Sequence, residues 1–325
     1  MFVKMLFYSS RKNINFSTNF CEKNPLGFTQ KQLKIILDYC RKTRINPRIP
    51  YSEFHRKYSS YFRKQSTIDL LNRAYESYVV LGPRLFCNRG LEVTLIKDDR
   101  NPHELISEIR RENKKYKKQY EKDKYTYAIA LSGEWSFMSL KLGASILEFA
   151  DTPIPTFPSN YSVEDLMFDQ IGLLDRDPYP QFEDELDMEI YELMKSPRKI
   201  TFRKAGEELN IPWTTAQYRF KKIIKQCKIL ECFFPLGYYG YQYSVYTFKT
   251  KYEIGLIETL KRLDRTSYVY KFNGMVLLIL FLDPGPLSIN KANDRFQHLE
   301  EIGIIRDLRA SIPTRWWKPN YDFPD

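Results

Sequence analysis

One stretch of the sequence carries side chains suited to contact with a polyanion. Between residues 200 and 230, Ala216, Phe220, Ile223 and Cys227 recur at spacings of four, three and four, which predicts a helix with one buried side. The opposite side carries hydroxyl, amide, phenol and ammonium groups, on Thr214, Thr215, Gln217, Tyr218, Lys221, Lys222 and Lys225. Such groups hydrogen-bond base edges and neutralise phosphates. We therefore expect this helix to read the major groove of double-stranded DNA.

A shorter helix precedes this one and completes a helix-turn-helix. Phe202, Ala205 and Leu209 form an apolar stripe with helical spacing. Asn210 interrupts that stripe, and Pro212 suits the first turn of a new helix. The second helix is therefore the candidate recognition helix.

Some residues near this face admit both a structural and a functional interpretation. Arg219 either contacts a DNA phosphate or braces the helix turn by a salt bridge, and the sequence leaves both open. Trp213 either packs within the turn, which we favour, or contacts a DNA sugar. A run of lysines elsewhere either extends the phosphate footprint or forms a solvated helix face, the commoner case, and comprises Lys114, Lys115, Lys117 and Lys118.

The chain repeats itself at an offset of about 150 residues. Thr67 corresponds to Thr215 and Gly90 to Gly240, at offsets of 148 and 150. The repeat predicts a first helix-turn-helix, whose candidate DNA contacts are Arg63, Lys64, Gln65, Ser66 and Arg73. Its helix also carries Asp69, a carboxylate that phosphates repel. This copy therefore either dimerises or touches the DNA backbone instead of reading bases.

Behind each helix-turn-helix the sequence predicts an α/β module. From Tyr241 onward the order strand, helix, strand, strand, helix, strand is that of the ferredoxin-like unit. The first copy is weaker, because no helix is predicted between its third strand and Pro153. The predicted fold class is α+β, with two winged helix-turn-helix domains alternating with two ferredoxin-like (βαββαβ, ACT/RAM-like) modules, the first one degenerate.

We expect six segments, which differ in pattern and charge. They are an N-terminal arm (1–24), a first winged helix-turn-helix (25–90), a first degenerate ferredoxin-like module (91–158), an acidic linker (159–184), a second winged helix-turn-helix (185–240) and a second ferredoxin-like module with a tail (241–325). Residues 160–189 hold ten acidic residues and one basic residue, although the whole chain carries a net charge of +11. The remaining, strongly basic surface fits a polyanionic partner.

The scarcity of reactive motifs narrows the class of protein. Five cysteines form no CxxC pair, which predicts free thiols in a reducing cytosol. His55, His103 and His298 are scattered, so no metal site is expected. No phosphate loop, nucleophile elbow or membrane-spanning apolar run is present. We expect a cytoplasmic protein that is not an enzyme, with no cofactor, catalytic residue or membrane contact.

The second half resembles the Lrp/AsnC family, the leucine-responsive or feast/famine regulators of bacteria and archaea. The resemblance is carried by Leu186, Asp187, Ile190 and Leu193, then Ala205 and Leu209, then Thr215, Ala216, Arg219, Phe220 and Ile223, and finally Ile229. It covers residues 185–312 well and 28–150 loosely. The family's glycine-aspartate ligand turn is replaced by residues 272–275, Phe-Asn-Gly-Met, which lack its acid.

The resemblance implies a tandem-duplicated, sequence-specific transcription regulator. Its α/β modules would dimerise, as an intrachain pseudo-dimer or with a second copy of the chain, and would bind a small-molecule effector. Two alternatives stay open. One is an enzyme like the sirohaem decarboxylases, which share this architecture and would need histidine and arginine in a tetrapyrrole pocket. The other is a non-catalytic protein-interaction module.

Overall fold

The computed structural model describes residues 24–319 except positions 99, 122 and 145, so most of the predicted N-terminal arm lies outside the described residues. The α-helices are α1 (Gln30–Thr43), α2 (Tyr51–Tyr58), α3 (Lys64–Glu76), α4 (Pro102–Tyr120), α5 (Glu185–Met194), α6 (Phe202–Glu208), α7 (Trp213–Ile223), α8 (Glu253–Leu260) and α9 (Pro286–Glu301). The strands are β1 (Val80–Phe86), β2 (Leu91–Ile96), β3 (Tyr125–Gly133), β4 (Phe137–Leu142), β5 (Leu147–Asp151), β6 (Lys228–Phe233), β7 (Gln242–Thr250), β8 (Tyr268–Phe272), β9 (Met275–Leu282) and β10 (Ile305–Trp317). Within the described ranges, every helix is too short or too polar to cross a membrane.

Two three-helix units form from amphipathic helices. In the first unit, α1 to α3 bury Phe54 and Leu71 in one core. In the second, α5 to α7 bury Ile190 and Phe220 in another. The side chain of Thr201 accepts a hydrogen bond from a backbone amide of the first turn of α6, which caps that helix.

Strands β1 and β6 join the two helical units in a two-stranded antiparallel ladder. The register places Val80 opposite Phe233 and Phe86 opposite Lys228. Phe233 of β6 is buried in the core of the first unit, and Leu85 of β1 is buried in the core of the second. Each unit therefore completes the core of the other.

Two arginines make reciprocal contacts between the same units. Arg48 lies 4.2 Å from the ring centre of Phe202 and donates to the carbonyl oxygen of Ile200 at 3.0 Å. Arg198 donates to the carbonyl oxygen of Ile49 at 2.7 Å. Arg48 and Arg198 stand at matching positions of the sequence repeat. Each unit therefore makes the same kind of contact with the other.

A disulfide between Cys87 and Cys227 extends this ladder, with a Cα–Cα distance of 4.7 Å. The prediction of free thiols is therefore wrong for these two residues. Antiparallel pairing of β1 with β6 brings together cysteines that are 140 positions apart, which spacing along the chain does not reveal. Cys40 and Cys232 are free and buried, and Cys21 lies outside the described residues.

The other eight strands form an antiparallel sheet in the order β2-β4-β3-β10-β7-β9-β8-β5. Elements β7, α8, β8, β9, α9 and β10 follow one another in the order predicted for the second module. The described residues between β4 and β5 contain no helix, and β5 pairs with β8 of the other module. The amide of Ile146 donates to the carbonyl of Leu91 at 3.2 Å, and Val93 of β2 and Leu147 of β5 share one buried cluster. The sheet is therefore curled so that its edge strands approach without forming a ladder, and this curled sheet is called the barrel below.

The acidic segment before α5 lies against the second module. Leu166 and Phe168 are fully buried beside α8 and α9. Glu164 forms an ion pair with Lys291 at 2.6 Å. Its buried apolar residues make this segment part of the core of the module instead of a solvated tether.

Candidate nucleic-acid interface

The first turn of α7 has a fixed position. Asn210, in the turn before it, adopts a φ of 52°, a left-handed conformation that asparagine tolerates better than most residues. At Gly206 of α6, an added Cβ would lie 2.7 Å from the carbonyl oxygen of Ile211 and 3.1 Å from the Cα of Trp213. Glycine therefore permits the close approach of α6 to the start of α7.

Helix α7 divides into a buried side and an exposed side, as its sequence pattern predicts. Ala216, Phe220 and Ile223 are buried. Exposed residues of the predicted contact set are Thr214, Tyr218, Lys221 and Lys225, while Thr215 and Gln217 are partly exposed. Neither Lys221 nor Lys225 forms an ion pair with any residue that the structure describes.

Arg219 and Lys222 are held by acidic residues around the start of α5. Arg219 Nη1 lies 2.6 Å from Asp184 and 3.0 Å from Asp187, and Lys222 Nζ lies 2.6 Å from Glu183. Hydrogen bonds to Asp184 and Asp187 raise the pKa of Arg219, and the bond to Glu183 raises that of Lys222. Of the two interpretations of Arg219, the observed contacts match the structural brace.

In the first helical unit, α3 presents a smaller set of groups. Arg63, Lys64, Gln65 and Arg73 are exposed, and Ser66 is partly exposed. Gln65 donates to Asp69 at 2.7 Å, and Arg73 lies 4.2 Å from the ring centre of Phe28. Arg63 and Lys64 form no ion pair within the described ranges. These two cations lie at the start of α3, whereas Lys221 and Lys225 lie near the end of α7 and just after it.

An exposed aromatic residue lies beside the start of α3 and another at the start of α7, and the sequence analysis identified only the second. Phe62, which directly precedes the cap of α3, is 99% exposed. Trp213, the first residue of α7, is 53% exposed, contrary to the expectation that it packs within the turn.

The barrel interior holds a second group of polar side chains. Tyrosines on the strands and on the β6–β7 connection pack against the interior cluster yet keep partial exposure to solvent, and they are Tyr127, Tyr238, Tyr243, Tyr268 and Tyr270. Burial raises the pKa of Tyr270 to about 12. Its hydroxyl, like that of an ordinary tyrosine, is protonated at neutral pH and can donate a hydrogen bond. Sequence analysis did not identify this group.

The three histidines lie elsewhere. His55 Nδ1 is 2.8 Å from Thr67 Oγ1 within the first helical unit. His103 lies at the start of α4 and is exposed. His298 lies on α9, with Nδ1 3.9 Å from Glu301. The structure therefore does not bring a histidine together with the interior tyrosines.

No family model and no curated protein matches this chain. Three solved structures resemble it. The crystal structure of PH0061 is 17% identical and covers 45% of this chain and 100% of its own, with a TM-score of 0.29. The siroheme decarboxylase NirDL is 10% identical and covers 88% of this chain and 92% of its own, with a TM-score of 0.49. A second NirDL structure, in complex with an iron-uroporphyrin III analogue, has a TM-score of 0.44.

The chain is a mixed α+β protein whose strands form antiparallel sheets. One prediction needs correction. We predicted that the chain is not an enzyme, and this prediction is contradicted because the matched structures include an enzyme, NirDL. At 10% identity that likeness assigns no residue roles.

Proposed function

We propose that the chain binds double-stranded DNA and acts as a transcription regulator, with α7 as its main recognition helix and α3 as a second contact. In this proposal the helical units are winged helix-turn-helix domains, and the halves of the barrel are ferredoxin-like modules that form an intrachain pseudo-dimer. The observation that carries the proposal is the exposed side of α7. Lys221 stands beside Thr214 and Tyr218 on a helix whose other side is buried, and Lys225 lies in the 3-10 turn directly after it. Neither cation has an ion-pair partner among the described residues.

Different residue types are expected to contact different parts of the DNA. Ammonium groups neutralise phosphates whatever the sequence, whereas hydroxyl and amide groups discriminate between bases. Lys221 and Lys225 are therefore assigned to the phosphate backbone of the DNA. Thr214, Gln217 and Tyr218 are assigned to the groove.

The test replaces both lysines that are assigned to the DNA phosphates. We expect the double substitution Lys221→Glu and Lys225→Glu to weaken DNA binding strongly. The negative slope of log affinity against log salt should become shallower by about two, since each phosphate contact contributes about −0.9 to it. Fluorescence anisotropy with a labelled duplex over a salt series measures both quantities. Lys222 is left unchanged because it is paired with Glu183.

The matched control makes the same charge change on α4, with Lys114→Glu and Lys115→Glu. Both lysines are exposed and lie outside the helical units. We expect this control to lose little affinity and to keep its salt slope. Equal losses in the two double variants would show that the exposed lysines of α7 make no special contribution to binding and would overturn α7 as the main recognition helix.

A second candidate function is the binding of a small ligand in the barrel interior, and the specific observation in its favour is the accessible tyrosine cluster. The sirohaem-decarboxylase-like alternative belongs here, with a tetrapyrrole as the ligand. Titration with an iron tetrapyrrole should then shift its visible absorption band. The substitution Tyr270→Phe should weaken the shift, and Tyr161→Phe, outside the interior cluster, should not. An unshifted spectrum excludes tetrapyrroles as the ligand.

A further inference from the structure

Each helical unit exposes one aromatic ring near the start of its last helix. Phe62 lies one residue before the cap of α3, and Trp213 is the first residue of α7. They are 99% and 53% exposed, and neither ring stacks on another described ring. Single exposed apolar residues are common on protein surfaces. A pair in which each member lies within two residues of the start of the last helix of its unit is a more specific arrangement.

The surroundings of the rings indicate the chemistry of their partner. Arg63 and Lys64 follow Phe62 directly and are exposed. Trp213 shares its helix with Lys221, Lys225 lies in the 3-10 turn directly after that helix, and Gly206 approaches the backbone of Trp213 closely. Aromatic rings between cations match a polyanion that also offers flat faces for stacking, which is a property of nucleic acid bases.

We propose that Phe62 and Trp213 are wedges that stack on unpaired or unstacked bases, so that the chain prefers a locally distorted duplex to a perfect one. The inference rests on the proposed DNA-binding function and specifies the form of its ligand. A wedge must separate neighbouring bases in a perfect duplex, and that separation costs free energy. At a bulge or mismatch, part of the cost is already met, so the same contact yields tighter binding.

The experiment compares a perfect duplex with the same duplex carrying a central bulge, using the full chain and fluorescence anisotropy. We expect the bulged duplex to bind about tenfold more tightly, because stacking of an aromatic side chain on a base is a contact of that size. Phe62→Ala and Trp213→Ala should each reduce the preference, the double variant should remove it, and affinity for the perfect duplex should stay within about twofold. Trp213→Phe, which keeps a ring, should retain the preference.

Leu287→Ala is the matched control, because Leu287 is a large exposed apolar residue on α9, away from both recognition helices. It should leave both affinities unchanged. A 2-aminopurine placed in the bulge reports stacking directly, and its fluorescence should fall with the wild-type chain but not with Phe62→Ala. Because Phe62 is almost wholly exposed, its substitution tests the proposal even if Trp213→Ala fails to fold.

The other outcomes separate the two proposals. Equal affinity of the wild-type chain for the two duplexes overturns the wedge and leaves DNA binding intact. Equal losses on both duplexes in the alanine variants also overturn it, because the rings then make only a general contact. No retention of either duplex overturns the proposed function together with the wedge. Binding to anionic phosphatidylglycerol vesicles that is lost in Phe62→Ala assigns the rings to a membrane surface instead.

Discussion

Glu231 is a carboxyl group in an unusual environment. It is fully buried on β6, and neither carboxylate oxygen forms a hydrogen bond with a described residue. The buried hydroxyls of Tyr39 and Tyr75 likewise form none. The guanidinium groups of Arg44 and Arg198 favour the charged form, but burial dominates and raises the pKa of Glu231 from 4.5 to about 8. The carboxyl group is therefore largely protonated at neutral pH, which lowers the cost of its burial.

This pKa predicts the pH dependence of stability. The folded chain holds the Glu231 proton more tightly than the unfolded chain, so the contribution is fully present below the unfolded pKa and is lost as pH rises from about 4.5 to about 8. We expect the free energy of unfolding to fall by a few kcal/mol over that window, since one pKa unit corresponds to about 1.4 kcal/mol. Glu231→Gln should flatten the fall, as measured by urea unfolding at several pH values.

The control for this prediction is Glu76→Gln, which changes an exposed carboxylate. Its unfolding profile should follow that of the wild-type chain. A Glu231→Gln chain that keeps the full pH dependence would show that another group titrates.

Substitution of Arg219 distinguishes a structural ion pair from a contact with DNA. Its partner Asp187 is only 2% exposed, so Arg219→Ala leaves a buried carboxylate without its cation. We expect a loss of about 1–3 kcal/mol in the free energy of unfolding, with no change in the salt slope of DNA binding. Arg203→Ala removes an exposed ion pair with Glu207 and should cost less than about 1 kcal/mol. A lower salt slope without loss of stability would instead assign Arg219 to a phosphate.

At the scale of elements, the β1–β6 ladder is the main link between the helical units. Its disulfide closes a loop of 140 positions, which restricts the unfolded chain strongly. Replacing Cys87 and Cys227 with serine should lower the free energy of unfolding by about 2–4 kcal/mol under oxidising conditions. Urea unfolding with and without dithiothreitol checks this.

Reductant provides the control within the same experiment. It should destabilise the wild-type chain and leave the double serine variant unchanged. If reductant has no effect on the wild-type chain, the two cysteines are not joined in solution.

At the scale of the whole molecule, the two halves of the chain depend on each other. They exchange core residues through β1 and β6, a strand through β5, and arginine contacts through Arg48 and Arg198. Each arginine donates a charge-assisted hydrogen bond to a backbone carbonyl of the opposite unit. Replacing both with alanine should cost about 3 kcal/mol or more, since such bonds contribute about 1.5–3 kcal/mol each.

Arg41→Ala with Arg203→Ala is the matched double control, because each of these arginines forms an exposed ion pair within its own helix. This control should unfold close to the wild-type midpoint. Equal destabilisation by the two double variants would mean that the reciprocal contacts do not hold the units together.

Several features were determined by the sequence itself. The apolar stripe of α7, the repeat near 150 residues and the element order from β7 to β10 are local patterns or comparisons of local patterns. Helical and strand periodicity express which side of an element is buried, so these features needed no knowledge of distant contacts.

Other features were decided only by the tertiary structure. The Cys87–Cys227 disulfide, the ion pairs of Arg219 and the exchange of β5 depend on contacts between distant positions. The exposure of Phe62 depends on the path of a turn, which has no periodicity to reveal it. The exposed face of α7 was therefore predictable, but which of its cations are already paired was not, because their acidic partners approach from another helix.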